Sequence, residues 1–509
     1  MKKLILYISL VVLAVFPSCY EDLGNYDYIE AEVITVEGIE TSYDKVSAID
    51  RITLDPEVSS NDPDAEFEYF WGIYETNAQG YAPKLDTIAY TKSIDYLVTQ
   101  DAKLWVLVFG AKNIHTGLTK LVNADINVTT EFTRGWYVLK DNGTETDIDQ
   151  FLTPDTIIPE RMAEDVFSVV NGRKLNGKAK QLVFFSSYKS FMTNPSRASN
   201  TRTLFALSDK DASAIYIDNF NQIRPLNELF YDAPTVEAPS LVSYNSSTAS
   251  NYFINNGKLH YIYIMSLNSG VFGAPVLRNN TNDDYHLSQY AIGHGKQHLY
   301  FDEVSTTFVS HPMAGTTMVE AKDAATTEMS AINTNKKLLY MGTQGSGKPG
   351  VALFQDLTDP DLVILSELDG NYNSLSFTND TIAPTEKIHN ATRVTINQDE
   401  SMLYFETNGE IWSRNRANRN EQKQFTAPAG EEITFIRHLK YTTASDAPFN
   451  FNYVMIATTN GGHYKVYFFQ KSSGNLASEP DFVLEGEGQV GDVIYISPKV
   501  SDYTYIGGY

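Results

Sequence analysis

The stretch Gly342-Thr343-Gln344-Gly345-Ser346-Gly347-Lys348 comes close to a phosphate-binding loop, in which glycine N–H groups and a lysine cradle phosphate oxygens. Such a loop also needs Ser or Thr after the lysine to hold magnesium, and a helix N-terminus behind it. Pro349-Gly350 stand there instead, so the stretch is expected to be a glycine-rich hairpin joining two strands. Histidines gather at His286, His294, His298 and His311, which raises metal chemistry. His294 and His298 would share a face only on a helix, whereas Gly293 and Gly295 flank the first and a Leu299-Tyr300-Phe301 strand follows the second. They are expected to be ordinary loop and strand residues, with neither metal nor cofactor bound. Asp302, Glu303, Glu406 and Glu410 offer carboxylates, and a glycosidase requires only two at the right separation. In a chain this acidic most such groups are solvated strand ends, so no catalytic residue is assigned. Binding needs less: sugars and peptides both rest on aromatic faces beside hydrogen-bonding groups. Trp412 and Arg414, where a strand runs into a polar loop, and Tyr188 and Arg197, in the longest insert, are the candidate ligand-binding residues. The competing expectation for Trp412 is packing between neighbouring sheets.

A different chemistry belongs to Cys19, the single cysteine of the 509 residues, which excludes an intrachain disulfide. Before it, Lys2 and Lys3 lead an apolar run from Leu4 to Phe16, too short for the ~20 residues of a membrane span but suited to an export signal. With Ser18 directly ahead of it, Cys19 resembles the lipidated cysteine of the bacterial lipobox, which implies a mature chain beginning there with acyl chains on its sulfur. Each buried CH₂ contributes about 0.8 kcal/mol, so two or three chains anchor a soluble body firmly. Glu21 and Asp22 are similar to the surface-export signal of Bacteroidota lipoproteins. The whole string Cys19-Tyr-Glu-Asp-Leu-Gly-Asn-Tyr-Asp-Tyr28 resembles the opening of that phylum's PKD-like lipoproteins. The resemblance implies a place on the outer membrane's surface, a SusC/SusD-type importer as partner, and a part in nutrient capture.

These residues must be carried by strands. The formal charge of −24 repels nucleic acid and anionic membranes, leaving the lipid anchor as the only membrane attachment. Thirty-two tyrosines and 27 phenylalanines favour strands, and the expected class is all-β. Residues 1–18 read as the signal peptide and 19–28 as an acidic tether. Residues 29–131 read as one immunoglobulin- or PKD-like β-sandwich, with Trp71 on a central strand and Trp105 on a facing one. From 132 to 509 an apolar strand, a polar turn and a second strand recur, marked by Phe184, Tyr261, Tyr300, Tyr340, Tyr404 and Tyr453. Several of these intervals lie near the roughly 40 to 50 residues of a four-stranded blade, so a β-propeller of about seven blades is expected. Trp136 to Lys140 and Asp492 to Ile496 are the pair expected to close it, with functional loops at 186–203 and 366–392. The expected role is capture of a glycan or peptide, or service to an importer. The alternatives are a glycan-degrading propeller enzyme and a structural adhesin.

Overall fold

The computed structural model describes residues 31–76, 84–245, 250–263, 270–294, 297–311, 315–345 and 348–501. Cys19, Glu21 and Asp22 lie outside them. The chain forms two compact units, Met1–Val128 and Thr129–Tyr509. None of the described helices is long and apolar enough to cross a membrane.

In the first unit a five-stranded sheet runs in the order Ser42–Val46, Thr119–Thr129, Leu104–Asn113, Phe67–Glu75, Asp86–Ala89. Two small pairs, Ile34–Glu37 with Glu57–Ser60 and Arg51–Leu54 with Ile94–Leu97, complete it. Trp71 is fully buried with its ring 4.6 Å from Phe109, and its indole N–H donates to Thr91 O at 3.1 Å. Trp105 departs from expectation: it pairs with Glu75 in the same sheet, half-buried beneath Lys103, because its strand is Trp71's neighbour and not its opposite.

The second unit is a β-propeller. Seven innermost strands pack one against the next around an axis: β1 (Ala179–Ser190), β2 (Pro239–Asn245), β3 (Leu287–His294), β4 (Lys336–Thr343), β5 (Arg393–Ile396), β6 (Glu432–Tyr441) and β7 (Gln489–Ile496). Blades 1 to 6 each continue outward from their inner strand as an antiparallel meander, with three described strands in blade 2 and four in the others. Blade 7 joins the two ends of the unit: C-terminal β7 pairs with Gly135–Asp141, which continues to Glu145–Leu152 and Arg161–Ala163. The register sets Trp136 opposite Tyr495 and Val138 opposite Val493, the closing pair expected from the sequence. Closure removes the two sheet edges that an open ring exposes.

The expected repeat was real but out of phase. Tyr340 lies on an inner strand, Tyr300, Tyr404 and Tyr453 on second strands, and Tyr261 on a third, so their spacing did not measure the blades. The stretches 186–203 and 366–392 are also not free loops. Most of the first is a long hairpin between β1 and Ser199–Ser208; the second runs through the Val363–Asn371 and Ser374–Ile382 hairpin.

Polar clasps tie blade to blade. The buried Gln181 amide donates to Val242 O at 3.1 Å and accepts from Val242 N–H at 2.8 Å, joining β1 to β2. Asp492 joins three blades: it pairs with Arg437 of β6 at 2.8 Å and accepts the Leu182 N–H of β1 at 2.8 Å. Between blades 5 and 6, fully buried His438 accepts the Gln398 N–H on Nδ1 at 2.9 Å, so Nε2 carries the proton donated to Asn452 Oδ1 at 2.8 Å. Burial pushes its pKa down to about 4; Lys471 and Lys440 push the same way, against the Asn452 hydrogen bond and Asp399. The unfolded chain therefore binds this proton below about pH 6.5 while the folded chain refuses it until about pH 4. Stability from this group is complete above that range and falls through it on acidification, by about 3 kcal/mol in all. Denaturant titrations at pH 7, 5.5 and 4 check this, and in His438→Gln that part of the pH dependence is lost.

Candidate functional site

The inner strands do not run straight into the axis. Where β1 pairs with its neighbour, the register steps from Ala179 to Gln181 and passes over Lys180. The same step passes over Ser240 in β2, Leu339 in β4, Thr434 in β6 and Gly491 in β7, while in β3 it falls between Leu287 and Ala291. Six of seven inner strands thus carry a β-bulge in their first half. A bulge leaves one residue unpaired and re-aims its side chain. Here the bulged residues Lys180, Ser240, Gln289, Thr434 and Gly491 all line one cavity of about 490 Å³, with Tyr340 and Arg393 supplied by β4 and β5. A cavity to which all seven inner strands contribute lies on the axis. It sits at the end where those strands begin.

Gly491 also shows why the closing seam needs glycine. A Cβ there would stand 2.5 Å from Ala179 O on the adjacent β1, and backbone cannot yield that space cheaply.

The cavity's electrostatics oppose those of the whole chain. Lys180, Arg393 and Arg437 line it with one carboxylate, Asp492. Burial pushes the Asp492 carboxyl above its ordinary range, and Arg437 with the Leu182 and Val493 N–H groups works against that. Arg393 donates through Nε to Thr434 O at 2.9 Å and reaches Glu406 at 3.5 Å. Lys180 is exposed and has no ion-pair or hydrogen-bond partner among the described residues. Thr434 is 9% exposed, and its hydroxyl has no hydrogen-bond partner among them either. Tyr290 and Tyr340 bring two rings 5.6 Å apart, edge to face. The arrangement suits a small polar ligand: donors, hydroxyls and aromatic surface within one concave wall.

A second cavity of about 470 Å³ beside blade 7 holds Lys140 and Lys174, but both are consumed. Lys140 lies 2.8 Å from Asp149 and 3.0 Å from Asp165, and Lys174 lies 3.4 Å from Asp147 and 3.3 Å from Asp165.

The four residues expected to bind ligand are not brought together. Tyr188 is fully buried, its hydroxyl donating to Gly270 O, and so presents no face to a ligand. Arg414 is likewise fully buried, paired with Asp380 at 2.8 Å, Glu386 at 2.7 Å and Glu421 at 3.1 Å; it corrects the expectation of a ligand contact, because its charge is already spent. Arg197 is exposed in the connection leaving β1, at the end of the ring away from the cavity. Trp412 lies two strands outward from β5, about 10 Å from the axial wall at the usual strand spacing. It is half-buried, donates to Glu410 at 2.9 Å, and has the Lys387 ammonium 5.1 Å above its ring. Packing across blades 4 and 5 accounts for it.

Of the four histidines, His286 is exposed and His311 is buried, bonded through Nε2 to Gly315 O at 2.7 Å; the His294 side chain lies outside the described residues. No metal-binding group is formed among the described residues. β4 pairs antiparallel with Gly350–Asp356, Thr343 facing Gly350, as the expected hairpin requires; Ser346 and Gly347 lie outside the described residues.

A family profile described as the PKD-like family matches residues 19–179, the first unit together with the outer strands of blade 7. Among solved structures, a quinonprotein alcohol dehydrogenase-like protein from Bacteroides thetaiotaomicron VPI-5482 is 12% identical with a TM-score of 0.43, over 89% of this chain and 96% of that one. The dihydro-heme d1 dehydrogenase NirN is 9% identical with a TM-score of 0.38, over 71% and 75%. YCF48 from Cyanidioschyzon merolae is 10% identical with a TM-score of 0.35, over 72% and 99%. No curated protein matches the sequence.

Proposed function

We propose that this protein is a lipid-anchored receptor of the bacterial cell surface whose propeller captures a nutrient ligand, a glycan or a peptide, in its axial cavity. The observation that carries the reading is the bulged inner strands, which turn five of their extra residues into one cavity of about 490 Å³. That volume falls within the ~300–1,000 Å³ of small-molecule sites. The anchor rests on the sequence pattern around Cys19, and the PKD-like match begins at that same residue. A SusC/SusD-type importer in the outer membrane is the proposed recipient of the ligand.

Four measurements test the reading. Mass spectrometry of the N-terminal peptide is expected to find acyl chains on Cys19, and protease treatment of intact cells is expected to remove the body. A panel of glycans and peptides is expected to yield ligands retained without turnover; depletion or cleavage of a glycan would replace capture with catalysis. Trp412→Ala is expected to keep the affinity of any retained ligand, and to cost less than the ~3–5 kcal/mol of a fully buried ring.

A further inference from the structure

The axial cavity is a cationic pocket inside an anionic protein, and that contrast says what it holds. The chain carries −24 overall, which opposes any loose accumulation of anions on its surface. Yet the bulge in β1 delivers the unpaired Lys180 to the cavity, and β5 delivers Arg393, whose nearest carboxylate, Glu406, stands 3.5 Å away. Beside Arg393, which donates to its carbonyl, the bulge in β6 adds Thr434 to the wall, more than nine-tenths buried and with its hydroxyl unpartnered among the described residues. A buried hydroxyl left unbonded is unfavourable, so such a group beside a cavity marks a place that a ligand completes.

We propose that the axial cavity binds the carboxylate of an acidic sugar, with Lys180 and Arg393 as counter-charges and the Thr434 hydroxyl as a hydrogen-bonding partner. This rests on the axial-cavity reading above and adds the ligand's class. A sugar fits better than an acidic peptide because the wall also offers hydroxyls and an amide, from Ser240, Thr395 and Gln289, beside the Tyr290 ring and the apolar Val394 and Ile436. Such groups answer ring hydroxyls, and tyrosine offers a face for stacking. A long polyanion is disfavoured, since only the portion inside the cavity meets positive charge while the rest meets an acidic surface.

The test uses the full-length chain in detergent and three probes: a galacturonic acid trimer, its methyl ester and a tri-glutamate peptide. Isothermal titration is expected to show the trimer binding at least tenfold more tightly than the ester, which keeps the shape and loses the charge. Lys180→Gln and Thr434→Val, each with an unchanged melting temperature, are expected to weaken the trimer by about tenfold. Equal affinity for the trimer and its ester would overturn the charge assignment, and tighter binding of the peptide would overturn the sugar. Failure of all three probes to bind would overturn the proposed ligand class, while leaving the axial reading to other ligands. If the trimer binds but neither substitution weakens it, the assignment to these residues falls. If Gln289→Trp, which fills the cavity from an exposed position, also leaves that binding intact, the axial reading falls with it.

Discussion

Replacing Arg414 with methionine is expected to lower the stability of the propeller by about 3–5 kcal/mol, the cost of breaking a buried ion-pair network by removing one partner. Arg414 is fully buried and holds three carboxylates, Asp380 from blade 4, Glu386 from the link and Glu421 from blade 5, whose side chains are 18%, 27% and 12% exposed. Burial alone would raise the Glu386 carboxyl, but the Ala383 N–H and Arg414 pull it below its ordinary value. Without the guanidinium those acids face one another with Arg419 as the remaining cation, 3.1 Å from Asp380. The signature is in the pH dependence. In the variant the Glu386 carboxyl keeps the upward push of burial and loses the pull of Arg414, so the folded state gives up less stability on acidification than the wild type and the deficit shrinks as pH falls from 7 toward 4.5. Chemical denaturation at the two pH values reads both effects. An equal deficit at each would mean that lost packing of the long side chain, and not stranded charge, is responsible.

Removing β7 is expected to prevent the ring from forming at all. Truncation before Gln489 deletes Val490, Val493, Ile494, Tyr495 and Ile496, each no more than 2% exposed. Their burial contributes about 1.5–3 kcal/mol apiece, which together rivals the whole ~5–15 kcal/mol by which a folded domain is stable. The loss extends to the neighbours. Trp136 packs with its ring 5.0 Å from Tyr495, and Arg437 is left without Asp492. Gly135–Asp141 is then left as an open edge, which templates association. Size-exclusion chromatography of the truncated chain is expected to show aggregate, whereas a well-folded monomer would mean that the remaining six blades close by themselves.

The fold class and the closing strand were legible because both rest on patterns that sequence displays directly. Strand alternation separates Asp492-Val-Ile-Tyr-Ile from its surroundings, and the need to hide sheet edges names its partner. The axial cavity was not legible, because a bulge is a property of register and has no residue signature of its own. Lys180 sits in Lys178-Ala-Lys180, which reads as a solvated turn until the pairing of Gln181 with Leu207 shows that one residue has been skipped. Arg414 misled for the opposite reason. It shares a polar run with Arg416 and Arg419, and its carboxylates come partly from 28 and 34 residues upstream, so only the folded chain shows it enclosed. Tyr188 looked like a loop aromatic because the hairpin arms of blade 1 extend well beyond the length of an ordinary strand.

The account turns on where a ligand sits in the ring. The most direct measurement is the affinity of any ligand retained in the glycan and peptide panel, compared between the wild type, Gln289→Trp and Arg197→Glu. Gln289→Trp is expected to abolish binding by filling the axial cavity, and Arg197→Glu, at the other end of the ring, to leave it unchanged. Binding that survives the tryptophan and is lost with the charge reversal would contradict the axial site and move it to the opposite face.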